Sequence, residues 1–186
     1  MRKGGNLQQK EDGWWDLVFQ ASNSVAWLLF FRELSLFLLR LYQDINDLTL
    51  YEESLKFIVT KTETVRKDDF LIFISRFGPM EMCLMRIKEN VISEDDSGIR
   101  IVEWFHGDIS RQEVNILTSS SHRVGSFLVR FSESMKHNFA LHYIISESEV
   151  GHVMIYNHGS RGYSLSKKAV NCFPNIPGNY YLSITH

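Results

Sequence analysis

"GSFLVRFSES", Gly125 to Ser134, is the stretch on which the fold turns. Phe127, Leu128 and Val129 are apolar and strand-forming. Arg130 follows, and after Phe131 come Ser132, Glu133 and Ser134. An unpaired charge in a buried strand costs several kcal/mol even after relaxation. Arg130 is therefore either exposed on the polar face of the strand or waiting for an anion.

Its neighbours are also strand-like. "FALHYIISE" (139–147) and "GHVMIYNH" (151–158) are rich in β-branched and aromatic residues and are set apart by polar turns. Before them, "SRQEVNILTSSS" (110–121) reads as a helix. Ser110 caps it, Glu113 completes a capping box, and Val114 and Leu117 are expected to face inward. One helix, three strands and an irregular tail predict a small α+β domain with an antiparallel sheet.

Upstream, from Trp14 to about Asn90, the pattern is helical. Within Ser24–Tyr42, Trp27, Phe30, Phe31, Leu34, Leu38 and Leu41 recur at three- and four-residue steps, which marks a buried or amphipathic helix. A membrane span needs about 20 apolar residues with few charges; Arg32, Glu33 and Arg40 interrupt this one, so no span is expected. Thr49–Val59 reads as a second helix, with Thr49 as its cap and Glu52 closing a capping box. Arg66–Gly78 reads as a third, with Phe70, Phe73, Ile74 and Phe77 on one face and Gly78-Pro79 as its stop. Pro79–Ile92 reads as a fourth, with Met82, Met85 and Ile92 apolar. Ser93–Gly98 is expected to be a polar linker, its Glu94, Asp95 and Asp96 solvated.

The segment between the second and third helices has the outline of an EF-hand. With Val65 and Asp69 as its apolar and closing residues, the ligand positions fall on Ile58, Thr60 and Thr62, and Glu63 stands where a calcium loop needs glycine. No calcium or other metal site is expected.

The 186 residues carry a net charge of −2, with 44% apolar and 23% charged, ordinary for a soluble protein. From Trp104 onward, seven Lys/Arg face five Asp/Glu, and all seven histidines lie there. That mild basic bias suits a small anion but provides no broad field for nucleic acid, which is not an expected partner. Cys83 and Cys172 have no metal-like spacing and fit a reducing compartment. The polar opening, "MRKGGNLQQKEDG", is not a signal peptide. A cytoplasmic protein is expected, with 1–13 as a disordered lead, 14–98 as a helical domain and 99–186 as the α+β domain.

"WFHGDISRQEVNIL" followed by "GSFLVRFSES" and "GHVMI" resembles the SH2 family of phosphotyrosine-peptide-binding modules. "DDFLIFISRFGPMEMCLMRIKENV" resembles the helical segment that precedes SH2 domains in Cbl-type proteins, and STAT proteins carry a comparable linker. The resemblance implies a degenerate EF-hand-like helical bundle followed by an SH2-like domain whose sheet is flanked by helices.

It also implies roles. Arg130 aligns with the family's invariant arginine, which points into a pocket. A guanidinium matches two phosphate oxygens with planar paired donors, and phosphoserine is too short to reach it. Arg111 aligns with the helix arginine that reaches the phosphate and lies over the tyrosine ring. Ser132 donates a hydroxyl, and Glu133, Ser134 and Met135 form a backbone nest for the phosphate. His152 aligns with the histidine that supports the arginine. Val153 and Met154 stand at peptide-specificity positions. There Met154 replaces a common ring-clamping lysine, and Val153 replaces a common aromatic, which implies apolar preference after phosphotyrosine. Pro174, Pro177 and Gly178 break the family's second helix.

The partner implied is a tyrosine-phosphorylated protein or peptide. No cofactor and no enzyme activity are expected, since no P-loop, G-x-S-x-G or HExxH motif occurs. The expected role is a signalling adaptor or targeting module. Two alternatives stand beside it: a regulatory fragment of a larger kinase, ubiquitin ligase or STAT-like transcription factor, or a degenerate SH2 fold serving only as a protein–protein surface.

Overall fold

Buried aromatic rings organise the first part of the chain. The computed structural model describes residues 7–42, 48–96, 98–121 and 123–176. They divide into two units, Met1–Lys88 with Ile92–Arg100, and Glu89–Val91 with Ile101–His186.

In the first unit, Leu7–Phe19 (α1), Ser24–Ala26 (β1) and Trp27–Leu41 (α2) form one helix–loop–helix. Glu52–Val59 (α3), Thr64–Arg66 (β2) and Lys67–Phe77 (α4) form a second. The two loops pair as short antiparallel strands, Val25 opposite Val65. Trp27 N–H donates to Glu63 O at 2.8 Å and Lys67 N–H to Asn23 O at 3.0 Å, which locks the pairing at both ends. Two helix–loop–helix units are thus joined through their loops, in the order the EF-hand-like expectation requires. Only the second loop is visible from sequence, because the first has no carboxylate at all between Val18 and Leu29.

The rings supply the driving force. Trp15, Trp27, Phe30 and Phe70 are buried, with ring centroids 5.4 Å apart for Trp15–Phe70 and 5.9 Å for Trp27–Phe30. Large aromatics each remove much apolar area from water, and offset or edge contacts add to that. Residues 7–13, expected within the lead 1–13, belong to α1, and residues 1–6 lie outside the described residues.

Several local expectations also change. Ser24–Ala26 is strand, so α2 starts at Trp27, and Leu41 is exposed. Thr49 sits in a 3-10 turn (Leu48–Tyr51) and does not cap α3, whose N-cap is Tyr51. Met80–Asn90 (α5) buries Met80, Cys83, Leu84 and Ile87, and leaves Met82 and Met85 partly exposed. The helix ends at Asn90, so Ile92, expected within it, lies in the following strand. Ile92–Asp95 (β3) and Gly98–Ile101 (β4) pair as a hairpin where a linker was expected. Its Glu94 accepts from the Tyr51 hydroxyl and pairs with Lys88 at 2.9 Å, so it is bonded and not merely solvated.

In the second unit, Phe127–Phe131 (β5), Phe139–Ser146 (β6), Glu149–Asn157 (β7) and Tyr163–Ser164 (β8) form one antiparallel sheet in that order. The entrance segment runs beside β5: Val129 N–H donates to Trp104 O at 2.7 Å and Phe131 N–H to Gly107 O at 2.7 Å. Arg111–Ser121 (α6) opens with the expected capping box, Glu113 N–H to Ser110 Oγ at 3.2 Å and Ser110 N–H to Glu113 Oε2 at 2.6 Å. Val114 is buried, but Leu117 is exposed, contrary to expectation.

Register sorts the sheet residues onto two faces. Val129, Phe131, Phe139, Leu141 and Ile155 lie on one and are buried. Arg130, Ala140 and Met154 are cross-strand neighbours on the other, as are Leu128, His142 and His152. After β8 the chain holds no helix through Ile176. Instead Tyr163 and Phe173 exchange two backbone hydrogen bonds of 2.8 Å. Gly162 makes the approach (φ +88°), since a Cβ there would lie 2.1 Å from Phe173 O. Pro177 and Gly178 lie outside the described residues.

Candidate functional site

Arg130 projects from the polar face of β5 yet is only 6% exposed. Its Nε–H donates to His142 Nε2 at 3.1 Å, and its Nη1 donates to Phe131 O at 2.9 Å and to Glu133 Oε1 at 3.4 Å. Of the two alternatives left by the sequence, an exposed Arg130 is ruled out by this burial. The strand alternation turns Arg130 away from the apolar core, and the surrounding residues still bury it.

The cation stands at the floor of an open pocket of about 330 Å³. The structure brings Arg111, Arg130, Ser132, Glu133, Ser134, His152, Val153 and Met154 together around it and adds Ala140 and His142. Alternation places Arg130 and Ser132 on the same side of the chain, and Ser132 is buried. Its Oγ accepts Met135 N–H at 3.1 Å and lies 3.4 Å from Ser134 Oγ, which shapes the 132–135 turn. Arg111, exposed at the first turn of α6, reaches in from the side. Met154 shares the polar face with His152, whereas Val153 pairs with Leu141 on the opposite face.

Glu133 does something that the sequence did not indicate. Its Oε1 accepts Arg111 N–H at 3.1 Å as well as the longer contact from Arg130. A carboxylate thus sits on the Arg130 guanidinium that an incoming anion would use, and on the first amide of α6. Neutralising it by Glu133→Gln is expected to tighten phosphate-ester binding by up to about fivefold, the worth of a largely exposed pair. Comparative calorimetry on the two proteins checks this, and an unchanged or weaker affinity refutes it.

His142 was also missed. Its residue type alone does not mark it, and only the β5–β6 register places it beside Arg130. Its Nδ1 lies 2.5 Å from His152 Nδ1. Burial first, then His152, Arg130 and Arg111, hold the His142 ring down to about 3. Burial first, then Arg111 and Arg130, lower His152 too. Near neutral pH both rings are therefore uncharged, and the positive charge of the pocket resides in the two arginines. Among the described residues, no group of three or more His, Cys, Asp or Glu is placed to hold a metal ion.

Two guanidinium groups and two hydroxyls around one pocket make an anion receptor of charge-assisted donors, whereas in the expected nest the Met135 N–H is already donated to Ser132 Oγ. The family model of the SH2 domain matches residues 104–181. This part of the chain is an SH2 domain. SH2 domains are phosphotyrosine-binding protein-interaction modules.

Among solved structures, the chain is similar to the TKB region of an inactive choanoflagellate E3 ubiquitin ligase, Cbl, with a TM-score of 0.50 and 15% sequence identity. The match covers 82% of this chain and 43% of that one. It therefore extends from the SH2 domain into the helical unit, and at this identity it concerns the fold. No helix among the described residues is long and apolar enough to cross a membrane.

Proposed function

We propose that this chain is a non-catalytic adaptor or targeting module that binds tyrosine-phosphorylated peptides in the cytoplasm. The observation that carries the reading is Arg130: a buried guanidinium at the floor of an open pocket, with Arg111 and Ser132 beside it. A phosphotyrosine brings roughly −1.5 to −2 charges at pH 7 to that point. Its ring length matches a receptor placed below the surface, and Met154, on the same face of the sheet as Arg130, meets the residues that follow. Titration with a phosphotyrosine peptide library, beside unphosphorylated controls, tests this. Equal binding of both forms would leave the fold as a plain protein–protein surface.

A second reading has its own support. The likeness to the Cbl TKB structure spans less than half of that chain. A regulatory segment of a larger signalling protein fits the same site, and identifying the full-length transcript decides between them.

The helical unit is proposed to be calcium-free. In its second loop, the Thr60 and Thr62 hydroxyls donate to Thr64 O at 2.9 and 2.8 Å. Thr64 stands at the position whose carbonyl would coordinate calcium. The loop thus satisfies with its own hydroxyl hydrogens the oxygen that a cation would use. Calorimetric titration with calcium is expected to give no heat above dilution, and micromolar uptake would overturn the reading.

A further inference from the structure

Two neutral imidazoles stand behind Arg130, and hydrogen-bond bookkeeping fixes where their protons are. We propose that His142 is the positioning residue of the pocket, an Nδ1–H imidazole whose bare Nε2 holds Arg130 by its Nε–H, so that phosphate is taken end-on by the two terminal nitrogens. This rests on the phosphotyrosine reading.

The chain of donors runs one way. Arg130 can only donate, so His142 Nε2, 3.1 Å from Arg130 Nε, must accept and carries no hydrogen. A neutral ring then carries its hydrogen on Nδ1. That hydrogen points at His152 Nδ1, 2.5 Å away, which must accept in turn. His152 is left with its hydrogen on Nε2. One arrangement satisfies all three groups.

No added proton fits. On His142 it would occupy Nε2 and face the Arg130 Nε–H. On His152 it would occupy Nδ1, push the His142 hydrogen to Nε2 and produce the same clash. The charged groups around the pair discourage such a proton as well: Arg130 from β5 and Arg111 from α6 are cationic, and Glu133 is engaged with Arg130 and the Arg111 N–H.

The consequence is directional. A guanidinium can present phosphate with an Nε/Nη edge or with its two Nη groups. With Nε committed to His142 and one Nη1 hydrogen to Phe131 O, the Nη hydrogens left for an anion are those of Nη2 and the one that Nη1 lends to Glu133 over 3.4 Å. His142 thus acts through Arg130 and not on the ligand.

Nitrogen-15 spectra of histidine-labelled protein, without ligand, test the tautomers first. His142 is expected as Nδ1–H and His152 as Nε2–H; an Nε2–H form of His142 overturns the proposal. Phenyl phosphate, titrated into the whole chain, tests the role. His142→Gln keeps an acceptor near the Nε2 position and is expected to bind within about twofold of wild type. His142→Phe keeps the ring and removes the acceptor, which costs about tenfold. Circular dichroism verifies that both variants fold, and if the Phe variant does not, the tautomer spectra decide. Wild-type binding that His142→Phe leaves intact sinks the positioning role alone. Wild-type protein that does not bind phenyl phosphate sinks the phosphotyrosine reading itself.

Discussion

Arg130→Met is expected to abolish phosphotyrosine binding while leaving the protein at least as stable. Removing one partner of a buried, hydrogen-bonded charge pair costs about 2–5 kcal/mol of binding, or roughly thirty- to several-thousand-fold. The loss is expected toward the upper end because Arg130 is the most buried charge in the pocket, 6% exposed. Stability moves the other way. Without ligand, the cation has an uncharged ring, a carbonyl and one long contact to an exposed carboxylate as partners. An apolar side chain of similar volume escapes that desolvation cost. A site held ready for an anion is thus paid for in stability, as functional sites commonly are. Peptide titration together with thermal unfolding checks both halves. Retained phosphopeptide affinity would show that another group receives the phosphate.

Acid is expected to unfold the SH2 unit through its histidine pair. Above pH 6.5 the His142 ring is neutral whether the chain is folded or not. Below that, the unfolded chain takes up a proton, whereas the folded one refuses it until about pH 3. The unfolded state then binds more protons, so stability falls as pH falls, by roughly 1.4 kcal/mol per pH unit from His142 alone. His152, lowered for the same reason of burial beside cations, steepens the upper part of the decline. His142→Gln removes the titrating ring and is expected to flatten the profile by about one proton over that window. Chemical denaturation at a series of pH values measures the slope, and superimposable profiles for the two proteins would show that His142 is not the group involved.

Much of this was legible from residue order. Ser110 and Glu113 signalled their capping box because a cap is made within four residues. The three long strands were readable because alternation and β-branched residues are local signals. The pocket side chains Arg111, Arg130, Ser132 and His152 stood in motifs whose spacing survives in a single chain. Errors collected where the deciding contact is distant. Periodicity turns Leu41 and Leu117 inward, yet both are exposed, because each helix faces its neighbours at an angle that only packing sets. Glu94 looked like a solvated linker because its partner, Tyr51, lies 43 residues away. The first EF-hand-like loop was silent because it has no ligand residues, and only the Val25–Val65 pairing reveals it.

The stretch 125–134 carries both sides of that division. Local chemistry alone made it a strand, left its arginine either exposed or awaiting an anion and placed hydroxyls beyond it, because alternation and side-chain type are properties of neighbours in sequence; the receptor role came from the SH2 resemblance. Folding alone supplied His142 across the sheet and set the Glu133 carboxylate against Arg130 and the first amide of α6, because cross-strand register and helix docking join residues that the sequence keeps apart.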